Sequence, residues 1–379
     1  MPPVAVIVTA IALLAVLAAR RGVVRMAARS PVAARLRTVY SLVAALLVLR
    51  LVAPYLTATP VSLALMLVAA WLPVATLRLV EELRRRHAPR SIKLAALGGA
   101  LGFSVLAVTV GVVWSDAAAL TLAAFQLAML ATMVTLLARD RRALGQGERR
   151  TADTFLLALL LTIPLAATDF TAVLPDLPVR GGAFAILLLA LATARLAAGD
   201  DRPLRLLADL AVAAGAGGAS LGIALSAFPQ LPDDAAILIA AGGAALACLL
   251  LIVARARVTD SDASGLIAAI ARAPSGDADA LIASHPLLAS GRLLGPAELA
   301  AYPEASIARL LDYPVVSAST GDVEARDAAR DLLDAHAATH LIRLSRTPPR
   351  LLAVAAGSLS APALDDELAL AARLIERAA

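Results

Sequence analysis

The chain has 379 residues, 60% of them hydrophobic and only 17% charged, with a mean hydropathy of +0.82. Soluble domains are about 45–50% apolar and about 25% charged, so an ordinary water-soluble protein is excluded and a membrane protein is expected. The net charge of +5 belongs wholly to the part before Val258, because acids outnumber bases beyond it. That excess reads as a topology signal, and nucleic acid is excluded as a partner.

Nine apolar segments follow one another, each close to the ~20 residues of a helical span. They are Val4–Ala19, Val39–Leu56, Val61–Val80, Leu94–Trp114, Ala117–Leu137, Thr154–Phe170, Gly182–Ala198, Leu206–Ser226 and Ala235–Ala254. The first is short, and only GDDRPLR separates the seventh from the eighth, so a count of eight stays open. The first segment lacks the basic n-region of a cleaved signal peptide and is expected to remain as a membrane helix. Cys248, the single cysteine, lies in the last segment, so no internal disulfide is available.

Bases cluster in alternate links. Arg20, Arg21, Arg25, Arg29, Arg35 and Arg37 fill the first, and Arg84, Arg85, Arg86, Arg90 and Lys93 the third. The fifth holds Arg139, Arg141, Arg142, Arg149 and Arg150, and the seventh Arg202 and Arg205. The other links, YLTATP, WSD, TDFTAVLPDLPVR and AFPQLPDD, contain one base, Arg180. Because positive loops stay cytoplasmic, the expected fold is a mainly α, polytopic bundle of about nine spans over residues 1–257. Its N-terminus is out and its C-terminus in. The outer links are too short for an external ligand-binding domain, so a stimulus enters the bundle, comes from the lipid or arrives on a partner.

Residues 258–379 read as a small α/β cytoplasmic domain. Ser264–Arg272 and Asp277–Ser284 are expected helices, and Pro314–Ser319 a short strand. Asp322 is placed to cap a helix running to His336. THLIRLS, a TPP turn and RLLAVAAG form a hairpin pattern, and Asp365–Arg377 an amphipathic helix with Leu368, Ala371, Ala372 and Ile375 on one stripe. From Asp322 onward this helix, HLIRLS, LLAVAAG, the acid pair Asp365-Asp366 and LALAARLIERAA resemble the last part of a GAF domain. That family is the small sensory fold of bacterial histidine kinases, often preceded by a multi-pass membrane region. The resemblance implies the sensory half of a histidine kinase without the kinase domains, in the bacterial inner membrane.

Arg50 stands out as the base well inside a span, with Asp169 as its natural counter-charge and Asp116 as the alternative. Gln126, mid-span, adds a hydrogen-bonding group. Arg50, Gln126 and Asp169 are therefore the candidate ligand-binding residues, against a structural pair or an arginine snorkelling outward. Arg78–Lys93, RLVEELRRRHAPRSIK, reads as a stop-transfer cluster drawn to anionic lipid, or as a handle for the acidic soluble domain. Gly98-x-x-x-Gly102 and Gly218-x-x-x-Gly222 read as small faces where helices approach closely, and GAGGAS has no strand before it to make a dinucleotide fingerprint.

His336 and His340 have metal-pair spacing, but a strand at Thr339–Ser345 breaks that geometry. His285 precedes Pro286 instead of an acid, unlike a phospho-acceptor. No catalytic residue, metal or cofactor is assigned. The expected function is a non-enzymatic membrane sensor, with the lipid bilayer, a second copy of the chain, and a separate histidine kinase or response regulator as partners. The alternative is a small-molecule or lipid transporter with a cytoplasmic regulatory domain.

Overall fold

The computed structural model describes residues 3–26, 30–56, 59–84, 86–109, 116–141, 144, 146–169, 180–197, 202–258, 266–274, 276–317, 322–336, 338–356 and 363–378. The membrane part consists of α1 (Pro3–Met26), α2 (Pro31–Val52), α3 (Thr59–Arg84), α4 (Arg90–Thr109), α5 (Asp116–Asp140), α6 (Gln146–Ala167), α7 (Gly182–Ala197), α8 (Pro203–Ala227) and α9 (Asp233–Val258). Among the described residues, eight of these are long and apolar enough to cross a membrane, and α7 is the shorter apolar helix. The expectation of a short first segment is corrected, since α1 has 24 residues. Its apolar run stops at Arg20, yet arginine is a good helix former, so the helix continues past the hydropathy boundary.

α7 is the centre of the bundle. Its 16 residues give about 24 Å of helix, less than the ~30 Å hydrocarbon core. It packs against α1, α6 and α9, and twelve of its residues are buried, so most of its surface meets protein. It runs antiparallel to α2. Near one end Gly182 and Arg50 share Asp169. Further along, the fully buried Tyr40 donates from Oη to Thr193 Oγ1 at 2.6 Å.

The helix ends that flank the first, third, fifth and seventh links lie at one end of the bundle, where ion pairs tie them together. Arg35 meets Glu82 at 3.2 Å (α2 to α3) and Arg141 meets Asp153 at 2.9 Å (α5 to α6). Arg84, almost fully buried, pairs with Asp140 (α3 to α5). The soluble domain sits against this same end.

That domain contains α10 (Leu266–Arg272), α11 (Ala278–Ala283), α12 (Pro286–Ala289), β1 (Arg292–Leu294), α13 (Pro296–Leu299), α14 (Glu304–Leu311), β2 (Val315–Ser317), α15 (Val323–Ala335), β3 (His340–Ser345), β4 (Arg350–Val354) and α16 (Ala363–Ala378). The strands form one antiparallel sheet in the order β1-β4-β3-β2. Strand periodicity divides its side chains between two cores. Val315, Ile342, Leu344, Leu352 and Val354 pack with α10 and α16, while Val316, Leu341, Leu351 and Ala353 pack with α14 and α15. Asp322 caps α15 as expected, its Oδ1 accepting Ala325 N–H at 2.7 Å. That bond, with help from Arg309, holds the Asp322 carboxyl below the usual range. The elements between 286 and 311 have no counterpart in the sequence reading.

Candidate functional site

At the end of the bundle away from the soluble domain, Arg50 Nη1 lies 2.5 Å from Asp169 Oδ2. The other oxygen of Asp169 accepts the Gly182 N–H at 2.8 Å. This satisfies an otherwise unpaired donor at the start of α7 and sets a negative charge at the positive end of its dipole. Arg180, the one base of the even-numbered links, donates to the Asp169 carbonyl at 3.0 Å. A Cβ at Gly182 would collide with the Asp169 carboxylate. Both oxygens of Asp169 are thus engaged, and the group locks the ends of α2, α6 and α7. The side chain of Asp116 lies outside the described residues.

Gln126 stands elsewhere. Its Nε2 donates to Ala69 O at 2.8 Å, and the reason is in the sequence: Pro73, four residues later in α3, has no N–H to give that carbonyl. A side chain from α5 therefore repairs the gap in α3. Gln126 and Pro73 also line an apolar cavity of about 150 Å³, whose wall on α2 is Val39 and Val43. Those positions are seven and eleven residues from Arg50, or about 10 and 16 Å along the helix. Of the three candidate ligand-binding residues, the structure brings Arg50 and Asp169 together in a helix clamp and places Gln126 apart from them, deeper in the bundle, at a proline.

A second charged cluster escaped the sequence reading, which singled out Arg50 alone. Arg195 in α7 is 1% exposed, and its Nη1 lies 2.5 Å from Asp209 Oδ2 in α8. Asp209 Oδ1 in turn receives Arg255 Nη2 of α9 at 3.0 Å. One carboxylate therefore joins three helices at the end facing the soluble domain, and Arg255 lies three residues before α9 stops. The signal was present as Arg195 and Asp209 inside segments seven and eight. Their nearness to segment ends made them look like ordinary flanking charges.

Above this cluster α8 and α9 touch closely, through different glycines from those expected. A Cβ at Gly217 would lie 2.6 Å from Ala240 O, and one at Gly243 would lie 2.6 Å from Ser220 Oγ. At Gly98, Gly102, Gly218 and Gly222 it would meet nothing within 4 Å, so the close-approach reading of those two motifs is corrected. The contact falls on the neighbouring residue because the helix presents a different side to its partner. In α4 the corresponding tight position is Gly99, against Phe125.

In the soluble domain His340 starts β3, with Nε2 2.9 Å from Asp365 Oδ1 and Nδ1 2.8 Å from Thr339 Oγ1. His336 caps the end of α15. Burial, followed by the charge of Arg292, depresses its pKa against the opposing pull of Glu298. His285 Nδ1 accepts the Leu287 N–H at 3.2 Å, capping α12. No family model matches the chain, no curated protein matches it, and no solved structure matches it.

Proposed function

We propose that this chain is a membrane-embedded sensory protein that relays a ligand or bilayer signal to a cytoplasmic GAF-like domain, with no catalysis of its own. In this reading all nine helices cross the bacterial inner membrane, α7 as a short span shielded by its neighbours, with the N-terminus out. The antiparallel course of α7 along α2 supports nine crossings, and the shared end of the basic links and the soluble domain supports a cytoplasmic C-terminus. The GAF-like part rests on the resemblance carried by the residues from Asp322 onward, which here form a helix, two strands of an antiparallel sheet and a closing amphipathic helix. The output passes to a second copy, or to a separate histidine kinase or response regulator.

The observation that carries the relay is the double grip of Asp209 on Arg195 and Arg255. A shift of α7 or α8 cannot leave the end of α9 unchanged while that grip holds. A stimulus that binds the gripped and released arrangements unequally shifts their populations. Hydrogen exchange on the full chain in nanodiscs tests this. Arg255→Gln, which leaves the Arg195 pair in place, is expected to speed exchange in α10 and α16 as well as in α9. Changes confined to α7–α9 would refute the relay. A second reading, transport of a lipid or small molecule, is favoured by the apolar cavity beside Pro73. Uptake or lipid scrambling in proteoliposomes by the purified chain would select it.

A further inference from the structure

A cavity of about 510 Å³ lies between the bundle and the soluble domain, within the ~300–1,000 Å³ of small-molecule sites. Its bundle wall carries Arg35, Arg78, Arg86 and Lys93, and its other wall carries Arg326 and Arg330 of α15. The acidic soluble surface expected to complement the bases is missing here, where α15 contributes one carboxylate, Asp334, beside two arginines. The acids on the bundle side are already engaged. Glu82 holds Arg35 at 3.2 Å, and Glu81 holds Lys93 at 2.8 Å while accepting the Ala88 N–H at 2.6 Å. Among the described residues no carboxylate engages Arg78 or Arg86. Arg330 meets the exposed Asp327, on its own helix, at 3.0 Å.

Two cationic walls facing each other across a cavity repel unless an anion lies between them. Guanidinium groups match phosphate oxygens in charge and in paired donor geometry. The bundle wall is made of helix ends, which the membrane reading sets beside lipid head groups, and the opposite wall is carried by α15, where Arg330 is exposed. We infer that this cavity binds a phosphate-bearing anion bridging Arg78 and Arg86 of the bundle to Arg326 and Arg330 of the soluble domain. The anion is either a lipid head group or a free organic phosphate. This goes beyond the relay: the site binds whether or not the domain reports on it.

The test uses the full chain in phosphatidylcholine nanodiscs, titrated with inorganic pyrophosphate, and in parallel discs containing phosphatidylglycerol, with retained lipid counted by native mass spectrometry. Saturable pyrophosphate binding, weakened about tenfold by Arg78→Gln and by Arg330→Gln but unchanged by Arg149→Gln, supports the site with a soluble source. No pyrophosphate binding, but phosphatidylglycerol retained by the native chain and lost on Arg330→Gln, supports the site with a lipid source. Arg330 discriminates because a lipid held only by a stop-transfer cluster does not depend on the soluble domain. Glu82→Gln, which releases Arg35, is expected to tighten whichever ligand binds. Absence of both ligands, or binding indifferent to Arg78→Gln and Arg330→Gln, overturns the proposal.

Discussion

Pro73 leaves the carbonyl of Ala69 without its helical donor, and Gln126 supplies one from α5. In hydrocarbon an unpaired carbonyl finds no water, so Gln126→Leu is expected to cost about 1 kcal/mol. In a Pro73→Ala background the backbone N–H returns and the same substitution is expected to cost much less. Thermal unfolding of the four variants measures that coupling, and additive effects would show that the two residues act independently. His336 gives a pH signature. Its pKa is depressed in the folded domain, so proton uptake favours the unfolded chain. The stability it contributes is complete above the ordinary histidine value of about 6.5 and declines as pH falls through it. His336→Asn is expected to flatten the fall in melting temperature between about pH 7 and pH 5. An unaltered slope would assign the pH response to other groups.

Between elements, the α8–α9 contact depends on two glycines and on the grip of Asp209. Gly217→Leu and Gly243→Leu are expected to separate the helices and lower thermal stability, whereas Gly218→Leu and Gly222→Leu, which meet nothing within 4 Å, are expected to change it little. Equal losses at all four positions would contradict the observed register. These glycines also show how far sequence carries. A helix with Gly215, Gly217, Gly218 and Gly222 is recognisable as one that packs closely, but the side it turns to its partner is set by tertiary packing and is one residue away from the regular motif. The soluble domain divides in the same way. The residues around α15 and the β3–β4 hairpin were readable because Asp322 caps, the strands alternate and the helices are long enough to show a stripe. Between 286 and 311, α12, β1 and α13 are three or four residues long, too short for any period to emerge. The Arg50–Asp169 pair could be anticipated because a charge within a span needs a partner. Gln126 could be noticed as polar, but its partner is a carbonyl that only the neighbouring proline makes available.

Across the whole molecule, the arrangement is a bundle tied by ion pairs at one end, where the basic links and a small α/β domain meet, and by the Arg50–Asp169–Gly182 lock at the other. The relay requires that the domain end faces the cytosol. The native Cys248 is buried, so in a Cys248→Ala background single cysteines at Ser226, in the last turn of α8, and at Ser290, in the soluble domain, report the two sides separately. With a membrane-impermeant maleimide on intact spheroplasts, the account predicts that Ser226→Cys is labelled at once and Ser290→Cys only after lysis. Labelling of Ser290→Cys in intact cells, with Ser226→Cys protected, would contradict it.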